Sequence, residues 1–289
     1  METMRDIRNR MKSVGQSLQV TSAMKLISTS KLRKARRKLD EAKPYFGAVR
    51  DAMRDIIGHS ESRGGKWFDR REGKGNRRSA TLVVTADKGL AGGYNHAVIR
   101  FVERNRPAGS ILLPIGEVGK RYFLNENYVI LEDFAAPEKE PSVYEAKEIA
   151  SFAAELFVSG KIDEFSVIYT RMLSTVKLEP EELPLLPLDA RRIASESAKT
   201  KSAGVYACEP DEESVFDALV PAYLKGVIYG ALVESFACEQ AARMAAMDAA
   251  TNNAGEMIDG LRLKYNRARQ AAITAEVSEI VAGAAALEG

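Results

Sequence analysis

The chain has 289 residues, of which 45% are hydrophobic and 28% are charged, and its mean hydropathy is −0.23. The sequence has no run of 18 apolar residues and no apolar segment at its N-terminus. We therefore expect neither a membrane helix nor a signal peptide. Two cysteines and two histidines are too few for a disulfide framework or a Cys/His metal centre, so we expect a reducing, cytosolic environment and no metal or cofactor.

The net charge of +2 conceals a basic block at the N-terminus. Residues 1–40 carry eleven Lys and Arg residues against three Asp and Glu residues. A basic block of this kind, standing apart from an otherwise balanced chain, marks an interaction surface for an acidic partner.

A heptad pattern runs through residues 1–57. Apolar or small residues recur at alternating spacings of three and four from Met4 to Thr21 and again from Leu32 to Ile56, with Lys25 and Ser28 interrupting the pattern. Sustained 3.5-residue spacing predicts a helix that winds against a partner helix.

The middle of the chain changes its period. Residues 58–78 are polar and glycine-rich and predict a linker or mobile loop, in which the lone Trp67 either anchors a contact or covers a patch. Beyond this loop, strand patterns alternate with helical patterns, which predicts an α/β sandwich with a mainly parallel sheet over 79–188. The predicted strands lie near 80–85, 110–115, 128–131 and 165–170, and the predicted helices near 95–106, 117–126 and 142–160. Residues 189–204 form a second polar connection.

A glycine-rich turn follows the first predicted strand, where a Rossmann fold would bind a pyrophosphate. Its glycines, Gly89, Gly92 and Gly93, fit neither the dinucleotide fingerprint nor a P-loop. We interpret it as a tight turn with positive φ that allows close packing of strand and helix. A nucleotide-dependent enzyme built on this unit therefore lacks its phosphate loop, and we predict no catalytic residue in the chain.

The C-terminal third predicts a second long helix over 211–287. Its apolar seam runs from Phe216 to Ala275, and Asp211 is placed to cap its first turn. The two ends of the chain thus predict an antiparallel coiled coil of N- and C-terminal helices, with an inserted Rossmann-like α/β domain between them. At 1.5 Å per residue the helices would be about 80 and 110 Å long, against about 50 Å for the diameter of a compact chain of this size. We therefore expect a projecting apolar tip, surrounded by another protein.

Three parts of the sequence resemble the gamma subunit of F-type ATP synthases, and with the length and element order they cover essentially the whole chain. They are Ile7–Val14 with Thr21–Ala35, Asp87–Asn95, and Glu239–Met247 with Tyr265–Thr274 and Glu279–Leu287. The resemblance implies a non-catalytic central rotor shaft. Its terminal helices would lie inside a head of alpha and beta subunits, and its α/β unit would form a foot beside the epsilon subunit and the membrane ring of c subunits. Such a shaft couples ion-driven rotation to ATP synthesis or hydrolysis, peripherally, on the cytoplasmic face of a bacterial cell membrane.

The resemblance also implies roles for thirteen residues, in three groups. The expected contacts with the beta subunits are Met24, Lys25, Arg243, Gln270 and Thr274. The expected apical bearing consists of Ile273, Val277, Ile280, Val281 and Leu287. The expected foot contacts with the rotor ring are Tyr206, Glu209 and Pro210.

An alternative interpretation starts from the basic run Lys31–Lys38 and makes the chain a coiled-coil protein that binds nucleic acid. Against it, no aromatic side chain that could stack on a base stands between these charges. A solvated helix face, or a face toward acidic loops of the beta subunits, explains the run better.

Overall fold

The computed structural model describes residues 3–59, 65–71, 77–131, 140–195, 209 and 211–288. The chain divides into two compact units. Unit 1 consists of Met1–Ser28 and Arg243–Gly289, and unit 2 of Thr29–Ala242. The predicted domain boundaries at 1–57, 79–188 and 211–287 stay a prediction.

Helix α1, Met4–His59, follows the predicted heptad. Every apolar seam position after Met4 is buried or half-buried, which confirms the predicted heptad. Lys25 and Ser28, which interrupt the apolar pattern in the sequence, do not interrupt the helix: Ser28 is 1% exposed, and Lys25 pairs with Asp248 at 2.5 Å. A polar side chain can hold a seam position when a partner satisfies it, so the heptad continues without a break.

Helix α6, Glu212–Glu288, is the second long helix. Asp211 caps it as predicted, since Oδ1 accepts from the Ser214 backbone N–H at 2.8 Å. By length and composition alone, α6 could cross a membrane, because one 18-residue window within Glu213–Gly283 reaches a mean hydropathy of 1.4. Half of that window is buried inside the protein, and the core helix of a soluble protein meets the same criterion, so the window gives only weak support for a membrane span.

Among the described residues, unit 2 contains one five-stranded sheet of order β3-β2-β1-β4-β5. The strands are β1 Ser79–Val84, β2 Ile111–Ile115, β3 Val129–Ile130, β4 Glu164–Met172 and β5 Leu178–Leu186. The four strands predicted from the sequence are present, and their pairings are parallel. Continuous apolar runs such as the one in β1, buried at five of its six residues, are typical of a sheet covered on both faces.

Strand β5, which pairs antiparallel with β4 at the edge of the sheet, is not among the strands predicted from the sequence. Pro180 and Pro184 lie within this strand, although proline cannot donate to a ladder. An edge strand tolerates proline where its missing N–H would face away from the neighbouring strand. Pro180 stands opposite Thr170, whose own N–H bonds away from β5, so Pro180 does not break the pairing there.

Three helices connect the parallel strands, within two residues of the predicted ends: α2 Tyr94–Asn105, α3 Glu117–Asn125 and α4 Val143–Val158. Helix α4 begins at a capping box in which Ser142 and Glu145 bond each other's backbone N–H groups. The core between the sheet and α2 and α3 includes Val83, Val98 and Phe123, each 0% exposed. A short helix, α5 Ala190–Ser195, lies in the segment predicted as a polar connection.

The predicted mobile loop was wrong for residues 65–71. Lys66–Phe68 form a 3-10 helix, and Trp67 is buried with its ring stacked on Phe157 at 6.4 Å between centroids. Asp217 accepts from both Trp67 Nε1 and Lys66 Nζ at 2.6 Å. We call residues 65–71 the strap, because they join the start of α6 to α4.

The glycine-rich turn takes positive φ at Gly92, as predicted, but also at Leu90. Close packing of strand and helix occurs elsewhere, where α3 begins. A Cβ on Gly116, whose φ is +95°, would lie 2.3 Å from the Thr85 carbonyl oxygen, and one on Gly119 would lie 2.6 Å from Thr85 Oγ1. Side chains at these two positions would force α3 away from the end of β1.

Candidate functional site

In unit 1, the two ends of the chain run antiparallel. Lys25 Nζ donates to Asp248 Oδ1 at 2.5 Å, and Thr251 Oγ1 donates to Thr21 Oγ1 at 2.8 Å. Farther along, the Arg8 guanidinium lies 5.8 Å from the centre of the Tyr265 ring. As the residue number falls along α1, the number of its contact partner on α6 rises. This is the pattern of an antiparallel helix pair.

The predicted contact residues of α1, Met24 and Lys25, are both half-buried. Lys25 is held against Asp248, so its first role is to join the two helices. The neighbouring Leu26 and Ile27 are 70% and 55% exposed. Neither residue is among the contacts predicted from the sequence. The signal that could have identified them is their position as large apolar residues off the heptad seam. Consecutive residues of a helix point about 100° apart, so these four side chains are distributed around α1 and do not share one face.

The predicted contact residues of α6 lie on two stretches of that helix. Arg243 is half-buried, at the first position of α6 that belongs to unit 1. Gln270 and Thr274 are exposed, about seven helical turns farther along. The predicted contacts of α6 therefore lie at two separate places along the helix and do not form one group.

The predicted apical bearing has an exposed apolar stripe. Ile273, Val277, Ile280 and Val281 are 52%, 52%, 71% and 62% exposed. Their spacing of four, three and one places them on one face of the helix. Leu287 lies within α6, but its side chain is outside the described part of the structure. Four large apolar side chains exposed on one helix face are typical of a surface that another protein covers.

The predicted foot contact lies almost entirely outside the described residues. Tyr206 and Pro210 are not among them, and Glu209 is exposed.

The basic run of α1 is partly neutralised by acidic side chains of unit 2. Lys34 and Lys38 both bind Glu140, at 2.9 and 2.6 Å, and Arg37 pairs with Glu41 at 3.6 Å. Burial alone would raise the pKa of Glu140, but the hydrogen bonds and charges of the two lysines outweigh it and lower that pKa. These pairings use cations that a nucleic-acid interface would need for phosphates.

The crevice of the α/β unit is occupied by α6. In a parallel sheet of this order, ligands bind where the strand order reverses, here between the carboxyl ends of β1 and β4. Tyr94, at the start of α2, and Cys238 of α6 are packed together with Ala86 and Ala91 at that place. The Tyr94 hydroxyl and Ser235 Oγ lie 2.9 Å apart. A helix of the chain itself therefore fills the position that a nucleotide takes in related folds.

A different, shallow cleft of about 390 Å³ lies beside the carboxyl ends of β1 and β2. Its polar lining includes Asp87, Glu117 and Arg121, but Asp87 accepts from the first backbone N–H of α3 and Arg121 pairs with Glu117 at 3.1 Å. The polar groups of this cleft are therefore paired with groups of the chain itself. Among the residues that the structure describes, no group of three His, Cys, Asp or Glu side chains could hold a metal ion.

Comparison with known proteins gives matches over the full length of the chain. The model of the family described as ATP synthase matches residues 3–287. The chain is 44% identical to the ATP synthase gamma chain of Acetivibrio thermocellus over 295 residues, which covers 100% of both chains. It is 38% identical to the sodium ion specific ATP synthase gamma chain of Acetobacterium woodii, with 99% of each chain covered.

Solved structures of low sequence identity share the fold. A chain of the Euglena gracilis mitochondrial ATP synthase, solved with OSCP, F1 and c-ring, matches with a TM-score of 0.65 at 17% identity, covering 98% of this chain and 94% of that one. A chain of the Tetrahymena thermophila central stalk and c-ring matches with a TM-score of 0.60 at 24% identity, covering 80% of this chain and 99% of that one.

Proposed function

The chain belongs to the family of ATP synthase gamma chains, and from this premise we propose that it is the central rotor shaft of a bacterial ATP synthase. The observation that carries the proposal is the exposed apolar stripe of α6 beyond residue 270, at the end of an antiparallel helix pair. A shaft that turns inside a sleeve needs apolar contact of this kind, because apolar contact is non-directional and does not hold one orientation as a set of ion pairs would.

The partners follow from the same role. The paired helices of unit 1 meet the alpha and beta subunits of the head, with Met24, Lys25, Arg243, Gln270 and Thr274 as the contacts with beta. Ile273, Val277, Ile280, Val281 and Leu287 form the apical bearing. The α/β unit stands beside the epsilon subunit and on the ring of c subunits, where Tyr206, Glu209 and Pro210 make the foot contact. The complex holds the chain peripherally at the cytoplasmic face of the cell membrane.

The chain itself is not catalytic in this proposal. Rotation changes which face of the helix pair each beta subunit meets, and each orientation stabilises a different conformation of that subunit's site. Arg243 suits a contact with acidic loops, because a guanidinium can form two parallel hydrogen bonds with one carboxylate. The second interpretation, a nucleic-acid binder, is not supported by the family match.

The test is reconstitution of the head from purified alpha and beta subunits of the same organism. We expect the full chain to purify with both subunits and to raise ATP hydrolysis above that of alpha and beta alone. A chain ending at Met257 lacks the apical stripe, and we expect it to assemble less or turn over more slowly. The matched control carries Asp259→Asn and Arg262→Gln, which remove only an exposed ion pair, and it should behave as wild type. If the full chain neither joins the subunits nor changes hydrolysis, the rotor role is wrong.

A further inference from the structure

Strand β4 is longer than the strand beside it. β1 pairs with β4 only as far as Ile168, whereas β4 continues to Met172 with β5 on its other side. The backbone groups of Thr170 and Met172 that face away from β5 therefore have no strand to bond. Buried backbone groups in this position need other partners.

Three side chains of α6 supply these partners. The Thr170 backbone N–H donates to Ser235 Oγ at 3.2 Å, and the Met172 backbone N–H donates to Glu234 Oε1 at 3.0 Å. In the other direction, Cys238 Sγ donates to the Thr170 carbonyl oxygen at 3.3 Å. One turn of α6 thus replaces the missing part of a neighbouring strand.

The Ser235 and Cys238 bonds to Thr170 are buried, whereas Glu234 and Met172 are half-buried. Ser235 and Cys238 are 0% exposed and Thr170 is 3% exposed. Burial, with a smaller contribution from the charge of Glu234, raises the pKa of the Cys238 thiol to about 12. The thiol therefore keeps its proton at neutral pH and can act as a donor.

Hydrogen bonds to a backbone restrict motion in a way that apolar packing does not. Apolar side chains of a helix can slide or turn over a surface with small loss, because their contacts have no preferred direction. A backbone N–H bond weakens steeply when its angle changes, and the backbone of β4 cannot move without the sheet. Two such bonds, together with the Cys238 thiol bond to the Thr170 carbonyl oxygen, oppose both rotation and sliding of α6.

We propose that Glu234, Ser235 and Cys238 form a clamp that fixes the rotation and axial position of α6 on the sheet, and that torque enters α6 from the α/β unit through it. The inference rests on the proposed rotor function. The three are positioning residues, since they act on the beta subunits only through the helix that they hold. α6 continues from the clamp without interruption to Glu288.

The test uses the complete ATP synthase in inverted membrane vesicles and measures ions pumped per ATP hydrolysed, with a pH-sensitive dye and with sodium uptake in parallel. We expect Ser235→Ala and Glu234→Ala to lower this ratio. Loss of one hydrogen bond shifts the equilibrium between the held and the slipped helix by about twofold or more, and a slipped helix lets ATP be hydrolysed without ion transport. Glu234→Gln should restore the ratio, because the amide oxygen still accepts from Met172. The control Ile228→Val trims a fully buried apolar residue of the same helix and should leave the ratio at the wild-type value.

A second measurement separates a broken clamp from an unfolded chain. In Ser235→Ala, hydrogen exchange at the Thr170 amide should accelerate while the amides of β1 stay protected. If that amide has lost its protection and the pumping ratio is still wild type, the clamp carries no torque and the proposal is overturned. The rotor function stands in that case, whereas a wild-type chain that does not join the alpha and beta subunits overturns the function itself.

Discussion

At the scale of single residues, the carboxylate of Asp163 in unit 2 accepts hydrogen bonds from both Arg71 and Arg78. It is 0% exposed as a side chain and lies 2.9 Å from Arg71 Nη1 and 3.3 Å from Arg78 Nε. The Arg71 guanidinium also lies over the Phe157 ring, 4.7 Å from its centre. Asp163 therefore ties both the end of the strap and the start of β1 to the start of β4.

We expect Asp163→Ala to lower the free energy of unfolding by about 3 kcal/mol, because it leaves the half-buried guanidinium of Arg71 without its counter-charge. The control, Glu164→Ala, breaks an exposed pair with Arg77 and should cost less than about 1 kcal/mol. Urea unfolding followed by the fluorescence of Trp67, the one tryptophan of the chain, measures both. Equal losses in the two variants would show that the buried pair has no special weight.

At the scale of elements, α1 and α6 approach closely in unit 2 because a glycine faces an aromatic ring. A Cβ on Gly226 would lie 2.3 Å from Cδ1 of Phe46, and the Phe46 ring packs against Tyr229 with 5.9 Å between centroids. Gly230, one turn along, has nothing within 4 Å of its Cβ position. The two glycines thus lie in the same helix, but only the Cβ position of Gly226 is blocked by another side chain.

Replacing each glycine with alanine should change stability in opposite directions. Gly230→Ala should stabilise the chain by up to about 1 kcal/mol, the difference in helix propensity. Gly226→Ala gains the same propensity but displaces the Phe46 ring, and overpacking of a core costs about 1–3 kcal/mol, so we expect a net loss. Thermal unfolding followed by circular dichroism compares them, and a gain in both variants would contradict the close approach.

At the scale of the whole molecule, the two units bury their helices to different degrees. Between residues 228 and 238, α6 is mostly buried in unit 2, whereas from Arg269 to Gly283 every described side chain except Ala272 is exposed. Helical backbone without tertiary packing opens far more easily than core helix. We therefore expect the helix to be stable at residues 228–238, and to need the cover of a partner protein for the same stability at residues 269–283.

We expect hydrogen exchange of the isolated chain to show this difference directly. Amides in residues 273–283 should exchange at least about tenfold faster than those in 228–238. Mass spectrometry of peptic peptides gives both rates in one sample. On assembly with alpha and beta subunits, the 273–283 peptide should become protected while the 228–238 peptide changes little. A 273–283 peptide that is equally protected before and after assembly would speak against a covering sleeve.

Most of the element order could be predicted because its signals are local. The heptads of α1 and α6 repeat every 3.5 residues, and the apolar run of β1 stands between turn signals, so neighbouring residues carry the information. The contact surface was predictable only in part. The family motifs predict Lys25 as a contact with beta, which stays a prediction, and they do not show that Asp248 holds it, because pairs distant in sequence leave no local pattern.

The sequence by itself determined two long helices, the parallel strands and the family, since periodicity and motif are properties of consecutive residues. The tertiary structure alone decided that β5 completes the sheet, that Trp67 is buried against Phe157, and that Ser235 and Cys238 bind β4. Each of these depends on groups that meet only after folding, where a proline at an edge or a serine in an apolar helix finds the partner that satisfies it.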